Sequence, residues 1–271
     1  MGACRLFREI EFYYLKHGEK MKHFLIILVA LISNVTWAQG LPDQIVVMDF
    51  FKVETSEKES FLKKENIWKK VHQQRIKESI ITGWYLYKVR YAGEEYNYVS
   101  IHTYSDFNKL ENPFPSEIIT NLSVDKDLKN VSNSSGRKVK SEMSKLVAFT
   151  GKSKPSKYML MAFTVVDEKD KGAYVKGENT IWKPTHQELI ATSSQDWWAV
   201  YELKFPHGLS VNYQFVTISA VSDFSDMNKL DYLGAYNKAH KNRDFKADVD
   251  NTLKMRTAHR AELWELVDSL E

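Results

Sequence analysis

Apolar and polar positions alternate along this chain in two runs of the same kind. "IWKKVHQQRI" (Ile67–Ile76) sets Ile, Trp, His and Ile at helical spacing among charged and amide side chains, and "IWKPTHQELI" (Ile181–Ile190) repeats Ile, Trp, Lys, His, Gln and Ile at the same six places. Residues four apart share a helix face, so Trp68, His72, Ile76 and Ile80 form one stripe, and Trp182, His186 and Ile190 form a second. Pro184 lies inside the second run, so the pattern predicts a helix that starts no more than about one turn earlier, capped by Asn179 or Thr180. Gln73 and Gln187 fall off the stripe and belong at the surface or the rim.

Around these helices a period of two predicts strands. Ile45–Val53 is β-branched and aromatic, and Gly83–Val89 and Tyr96–His102 read as a hairpin across "RYAGEE". Val139–Phe149 and Arg260–Val267 read as closing strands, although "AELWELV" fits a short helix almost as well. Ser56-x-x-Glu59 has the form of a capping box, and Ser105-Asp106 opens a second, more polar helical region that runs to about Asn130.

The correspondence extends beyond the helices. Trp68 and Trp182 pair at a spacing of 114, as do His72 with His186, Trp84 with Trp198 and Tyr87 with Tyr201. "YNYVSIHTYSDF" (Tyr96–Phe107) matches "YQFVTISAVSDF" (Tyr213–Phe224) at 117, and "MDFFKV" (Met48–Val53) matches "MAFTVV" (Met161–Val166). Spacings that slip in loops while elements stay in register indicate a duplicated domain. The expected organisation is an N-terminal extension (1–20), a signal peptide (21–38), a first repeat (43–150), a Gly/Ser/Pro/Lys-rich linker (151–157) and a second repeat (158–271). Each repeat has the order βαββαβ, the ferredoxin-like plan.

The Trp-x-x-x-His helix, the "GW-x-LY" strand and the "Y-x-YV-x-I" strand resemble the dimeric α/β-barrel superfamily, its uncharacterised exported bacterial members above all. The resemblance covers nearly all of the mature chain. It implies an α+β fold in which two tandem βαββαβ ferredoxin-like repeats pair into a pseudo-dimeric α/β barrel. It also implies a space between helices and sheet where such proteins hold apolar ligands, oxygenase substrates or haem. Haem-degrading members present an axial His from the second helix, with Asn and Trp nearby. Here Asp106–Asn130 contains no His, His240 and His259 have no counterparts, and the first-strand positions Asp49, Phe51, Ala162 and Thr164 include no Asn. Neither a cofactor nor a metal is therefore expected.

Hydrophobic residues at 43% and charged residues at 27% are ordinary for a globular chain and exclude wholesale disorder. A net charge of +3, from 38 basic and 35 acidic residues spread along the length, gives no basic block and excludes nucleic acid as an expected partner. "MKHFLIILVALISNVTWAQG" from Met21 has a basic start, an apolar run and small residues before Ala38, the layout of a secretory signal. The expected protein is exported, periplasmic or extracellular, without stable membrane insertion after cleavage, and monomeric or weakly oligomeric. Cleavage after Ala38 also removes Cys4, the only cysteine.

Candidate chemistry centres on the duplicated imidazoles. A neutral His on an apolar face needs a hydrogen-bond partner and can act as a base, so His72 and His186 are the candidate catalytic residues. Trp68, Trp182, Trp84, Trp198, Tyr87 and Tyr201 are the candidate ligand-binding walls. The plainer reading makes each His a satisfied core residue, bonded to a carbonyl or to Tyr87 or Tyr201. Asp106 and Asp223 read as helix caps, and His102 (matched by Ser219) and His207 as unduplicated residues. No metal-binding His pair, CxxC, P-loop, GxGxxG or nucleophile elbow occurs. Three functions follow: a binder of small apolar or aromatic molecules in the helix–sheet pockets, a cofactor-independent oxygenase or isomerase with His72 or His186 as base, and a non-catalytic envelope scaffold. An open pocket at a duplicated His separates the first two from the third.

Overall fold

The computed structural model describes residues 44–271 apart from 92, 94, 130, 132–134, 153 and 207–211. The extension, the signal, Cys4 and His207 lie outside the described residues. The chain runs β1 (Ile45–Lys52), α1 (Lys58–Lys77), β2 (Gly83–Arg90), β3 (Tyr98–Tyr104), α2 (Ser116–Asn121), α3 (Val124–Leu128) and β4 (Arg137–Gly151). It continues as β5 (Tyr158–Val166), α4 (Lys171–Gly177), a π-helical turn (Glu178–Trp182), α5 (Lys183–Ala191), β6 (Trp197–Phe205), β7 (Phe215–Val221), α6 (Tyr232–Ala239), α7 (Phe245–Met255) and β8 (Arg256–Leu270). Among the described residues no helix is long and apolar enough to cross a membrane.

The eight strands close in the order β1-β3-β2-β8-β5-β7-β6-β4, every pair antiparallel. The 15-residue strands β4 and β8 are the seams, because β4 pairs with β1 and with β6, while β8 pairs with β5 and with β2. Closure leaves no unpaired sheet edge. The segment around "AELWELV" is thus strand, and Trp264 is fully buried inside the barrel.

Period two sorts the side chains. Val46, Met48, Phe50, Tyr87, Met161, Tyr201 and Ile218 point into the barrel, whereas Ile45, Trp84, Leu86, Tyr98, Trp198, Val200 and Phe215 point outward beneath the helices. At one end of the barrel Tyr96 donates to Glu262 (2.6 Å), and Tyr213 donates to Glu142. Lys140 lies over the Phe50 ring at 4.7 Å, and Arg260 over the Phe163 ring at 4.3 Å. Each carboxylate sits on one seam strand and each tyrosine just before the other half's inner hairpin strand, so the two bonds are reciprocal.

The helix starts differ from the sequence pattern. Before α1 the capping box is formed by Glu54 and Glu57 around a short 3-10 turn, not by Ser56 and Glu59. The α-helix in the second half begins at Lys171, after a 3-10 turn (Glu168–Asp170) and far earlier than Pro184 suggested, and Asn179 and Thr180 lie inside the helical stretch. The π turn explains this tolerance. A π turn carries one residue more than an α turn and frees carbonyls that proline's missing N–H could not have served in any case. Side chains cover the nearby carbonyls: Asn179 donates to Val175 O, Thr180 to Lys176 O, and Thr185 to Ile181 O. The same turn accounts for the first change of spacing, from 113 in the first strands (Met48 with Met161) to 114 between Trp182 and Tyr201; this slip falls within a helix, not a loop. Asp106 and Asp223 do cap short helical turns, accepting from Asn108 N and Ser225 N.

Tyr96→Phe and Tyr213→Phe each deprive a carboxylate at the barrel end of a donor, so urea unfolding should show a loss of about 1–3 kcal/mol for either variant.

Candidate functional site

The two helix–sheet layers are built on one pattern and filled differently. In the first half, α1 brings His72 and Arg75 to the sheet one turn apart, and β3 presents Ser100, His102 and Tyr104 on its outward face. Arg75 is fully buried; its Nη1 donates to His72 Nδ1 (3.0 Å) and His102 Nδ1 (3.2 Å), and its Nη2 donates to the Tyr104 hydroxyl (2.9 Å). A guanidinium has no acceptor, so both Nδ1 atoms carry lone pairs and both imidazoles hold their proton on Nε2. Phe114 stacks on the guanidinium at 3.9 Å, and Trp84 Nε1 donates to Ser100 Oγ at 2.8 Å. His102 Nε2 faces Ser100 Oγ at 3.4 Å and the Asp49 carboxylate at 3.9 Å.

Burial, and then the charge of Arg75, push His72 down to about 3. Burial first, then His72, Arg75 and Lys138, hold His102 well below the usual imidazole range. His72 is therefore neutral with its Nδ1 lone pair already taken, which suits a structural part and not a base.

The second half replaces this packing with smaller or apolar groups. Leu189 stands where the spacing of 114 puts the counterpart of Arg75, and Ser219 and Thr217 stand, at 117, opposite His102 and Ser100. A cavity of about 420 Å³ opens there, lined by Leu160, Trp182, His186, Trp198, Tyr232 and Phe245 among others. His186 lies flat on Trp198 (ring centroids 4.6 Å apart, 14° between planes) with the edge of Tyr232 against it at 5.6 Å. Its Nδ1–H donates to Gln195 Oε1 at 2.8 Å, so Nε2 carries the lone pair and has no hydrogen-bond partner among the described residues. Burial pushes this imidazole down to about 4, against the opposing pull of Gln195.

Trp198 Nε1 is buried and has no acceptor among the described residues. In the first half Ser100 accepts from the equivalent indole, but Thr217 is engaged with the Tyr174 hydroxyl at 3.5 Å. Glu178 is buried at the cavity's edge, 3.3 Å from Arg256; burial raises it to about 7 against the pull of that cation. Glu65, its counterpart at the spacing of 113, is likewise raised to about 7 by burial.

The predicted residues thus separate. Trp182, Trp198 and His186 line one cavity; Trp68 and Trp84 stack on His72 at 6.4 and 5.2 Å in the filled layer. Tyr87 and Tyr201 face the barrel interior, on the other side of the sheet, around a separate space of about 80 Å³. They bond neither His: Tyr201 donates to Gln44 at 2.7 Å and Tyr87 to Ser156 O at 3.5 Å. His240 is turned to the helix backbone, bonded to Ile181 O at 2.9 Å. Sequence reasoning missed Arg75, Gln195 and Glu178, and read His102 only as an unduplicated residue. Arg75 sits three residues after His72 on the buried face, and that spacing is the signal the sequence offers for it.

No family model matches the chain, and no curated protein does. Among solved structures the chain is similar to a mutant chlorite dismutase from Candidatus Nitrospira defluvii (7% identity over 84% of this chain and 93% of that one, TM-score 0.50). It is also similar to an anthrone oxidase-like protein (11% identity, 85% and 93% covered, TM-score 0.47) and to a heme-binding protein from Thermus thermophilus (12% identity, 84% and 92% covered, TM-score 0.46). At such identities the likeness speaks to fold alone. The fold is that of the dimeric α/β barrels, with all eight strands supplied by one chain.

Between pH 6.5 and about 4 the unfolded chain binds a proton at residue 186 that the folded protein refuses. The stability that neutral His186 confers is complete above pH 6.5 and is lost as pH falls toward 4. Comparing the wild type with His186→Phe by urea unfolding at pH 7.5 and 4.5 should show the wild type losing about 2 kcal/mol relative to the variant at the lower pH.

Proposed function

We propose that the protein is an exported, duplicated barrel of two tandem ferredoxin-like βαββαβ units, whose second unit binds a small apolar or aromatic molecule between helices and sheet. Export is supported by the signal-like stretch 21–38 and duplication by the matched spacings. One observation carries the binding reading: the same layer is packed around Arg75 and His102 in the first half but holds a cavity of about 420 Å³ in the second. That volume falls within the range of small-molecule sites, and aromatic walls with a few polar atoms are their usual lining. Trp182, Trp198, Tyr232 and Phe245 supply the walls.

A second reading is favoured by the lone pair on His186 Nε2. A neutral imidazole held by Gln195 and facing an apolar cavity is placed to act as the general base of a cofactor-independent oxygenase or isomerase. The base role narrows from two histidines to this one, since His72 has no free lone pair. The scaffold reading called for closed pockets and has less support.

The test is native mass spectrometry of protein purified from its host, beside Ser219→Trp, which fills the cavity. The wild type should carry a small molecule that the folded variant lacks; retention of that molecule by Ser219→Trp would sink the assignment. Haem titration serves as a control, since a visible absorption band dependent on His186 would assign Nε2 to iron and not to a proton.

A further inference from the structure

The barrel encloses a second space, across the sheet from the helices, that the function proposed above does not use. Val46, Met48, Ile101, Met161 and Ile218 line it from inward positions of β1, β3, β5 and β7. Phe50 and Trp264, whose rings pack at 6.2 Å, fill the barrel beyond it. At the mouth stand Gln44, Tyr85, Trp197 and the exposed Lys154 and Glu271. From Gln44 to Met48 the inward side chains of β1 descend about 10 Å at the tilt of a closed barrel. A space of about 80 Å³ spread over that depth is a narrow shaft and not a chamber. Its walls are bare: Ile101 and Ile218 keep 8% and 6% exposure inside the barrel, whereas Trp198 and Val200, on the outer face of the sheet, keep none. Below the mouth every hydroxyl is engaged within the chain. Tyr201 donates to Gln44 at 2.7 Å, Tyr87 to Ser156 O at 3.5 Å, Tyr85 to Glu271 at 3.0 Å and Thr103 to Gly83 O at 3.3 Å, while the Trp197 indole donates to Lys154 O at 2.9 Å. A cavity walled by apolar groups, with its hydroxyls already bonded, gives water few partners and takes apolar groups in its place.

We propose that this shaft binds a short unbranched alkyl chain, the tail of a linear amphiphile whose polar head stays at the mouth beside Gln44 and Lys154. An eight-stranded barrel is just wide enough for side chains to fill it or for one small ligand to enter. Here large rings fill one end and leave the other to a guest. The width admits a methylene chain but not a saturated ring, and the depth limits the length of the tail. Three thioethers, Met48, Met159 and Met161, line the space and can adjust around a flexible chain. The gradient from polar mouth to apolar floor matches the two ends of such a molecule. This site is separate from the helix–sheet cavity and does not depend on the function proposed for it.

The experiment titrates 1-butanol, 1-hexanol, 1-octanol and cyclooctanol into protein with isotope-labelled methionine methyl groups and follows them by NMR. The methyl signals of Met48, Met159 and Met161 should shift saturably, and those of Met143 and Met227 should not. Affinity should rise roughly fourfold for each methylene from butanol to octanol, as burial of a methylene implies. Cyclooctanol should bind about tenfold or more weakly than 1-octanol. Ile218→Phe, which narrows the shaft, should abolish the shifts, and Ser219→Trp, which fills the other cavity, should leave them unchanged. The chain-length series on the wild type needs no variant to fold. If none of the alcohols moves the three methyl signals, or if cyclooctanol binds as tightly as 1-octanol, the proposal is overturned. It is overturned equally if Ser219→Trp removes binding that Ile218→Phe leaves intact, since the alcohols would then lie between helices and sheet.

Discussion

A histidine buried against an indole cannot keep a charge, and each nitrogen of the neutral ring then demands its own partner. The rest of this molecule is organised by how that demand is met twice. His72 and His186 occupy matched places on helices facing Trp84 and Trp198, and both are driven down the pH scale by burial. In the first half a guanidinium meets the demand by donating to two imidazoles at once. That choice fixes the tautomer of both rings and fills the layer. In the second half the Gln195 amide oxygen accepts from Nδ1–H, and Nε2 has no hydrogen-bond partner among the described residues.

The filled layer has its own logic. Arg75 carries a buried charge with no carboxylate in direct contact, an arrangement that would be costly if the cation were left bare. Three acceptors and the face of Phe114 surround it, and Asp49 reaches the same network through His102 at 3.9 Å. Arg75 Nε is already buried without an acceptor among the described residues, and cutting one imidazole from this set strands a further donor. Such a network tends to enforce one packing. The layer over the second half has no equivalent, and the halves are joined elsewhere: Met143–Gly151 of β4 pairs with β6, Leu263–Leu270 of β8 pairs with β2, and the tyrosine–glutamate bonds tie each seam to the opposite half. An open layer is tolerable on a barrel closed in this way.

Much of the fold was legible because it is written in period and register. The strands other than β8, which alternation leaves open between strand and helix, and the principal helices follow from alternation and from the matched spacings, while the barrel is what the family resemblance implies. The site was half legible. Trp84 and Tyr87 are three apart on one strand, so parity alone places them on opposite faces; grouping them around one histidine ignored that parity. Arg75 and His102 are not legible from matched positions, because neither recurs at the spacing that relates the two halves. Those are the places where the two layers differ, with Leu189 for Arg75 and Ser219 for His102. Gln195 and Glu178 meet their partners, His186 and Arg256, only through tertiary packing, which spacing does not report.

The π turn joins these threads. An extra residue in a helix rotates everything beyond it by about 100° unless the turn widens to absorb it. Here the turn widens at Glu178–Trp182, so Trp182 and His186 keep the orientation toward the sheet that Trp68 and His72 have without any insertion. The helix before the turn keeps its own register, which is why Glu178 and Tyr174 still match Glu65 and Phe61 at 113. Those two stretches are held by different constraints, the first by packing of Tyr174 against Phe215 and the second by stacking of His186 on Trp198. The change of spacing from 113 to 114 falls between them, and a π turn is the local structure that takes up one residue without disturbing either stretch. It also carries Pro184 just beyond it in the helix and sets the buried Glu178 among the residues that line the cavity. The irregularity and the opening thus lie on the same wall, and in the first half, where the helix is unbroken, the layer is closed.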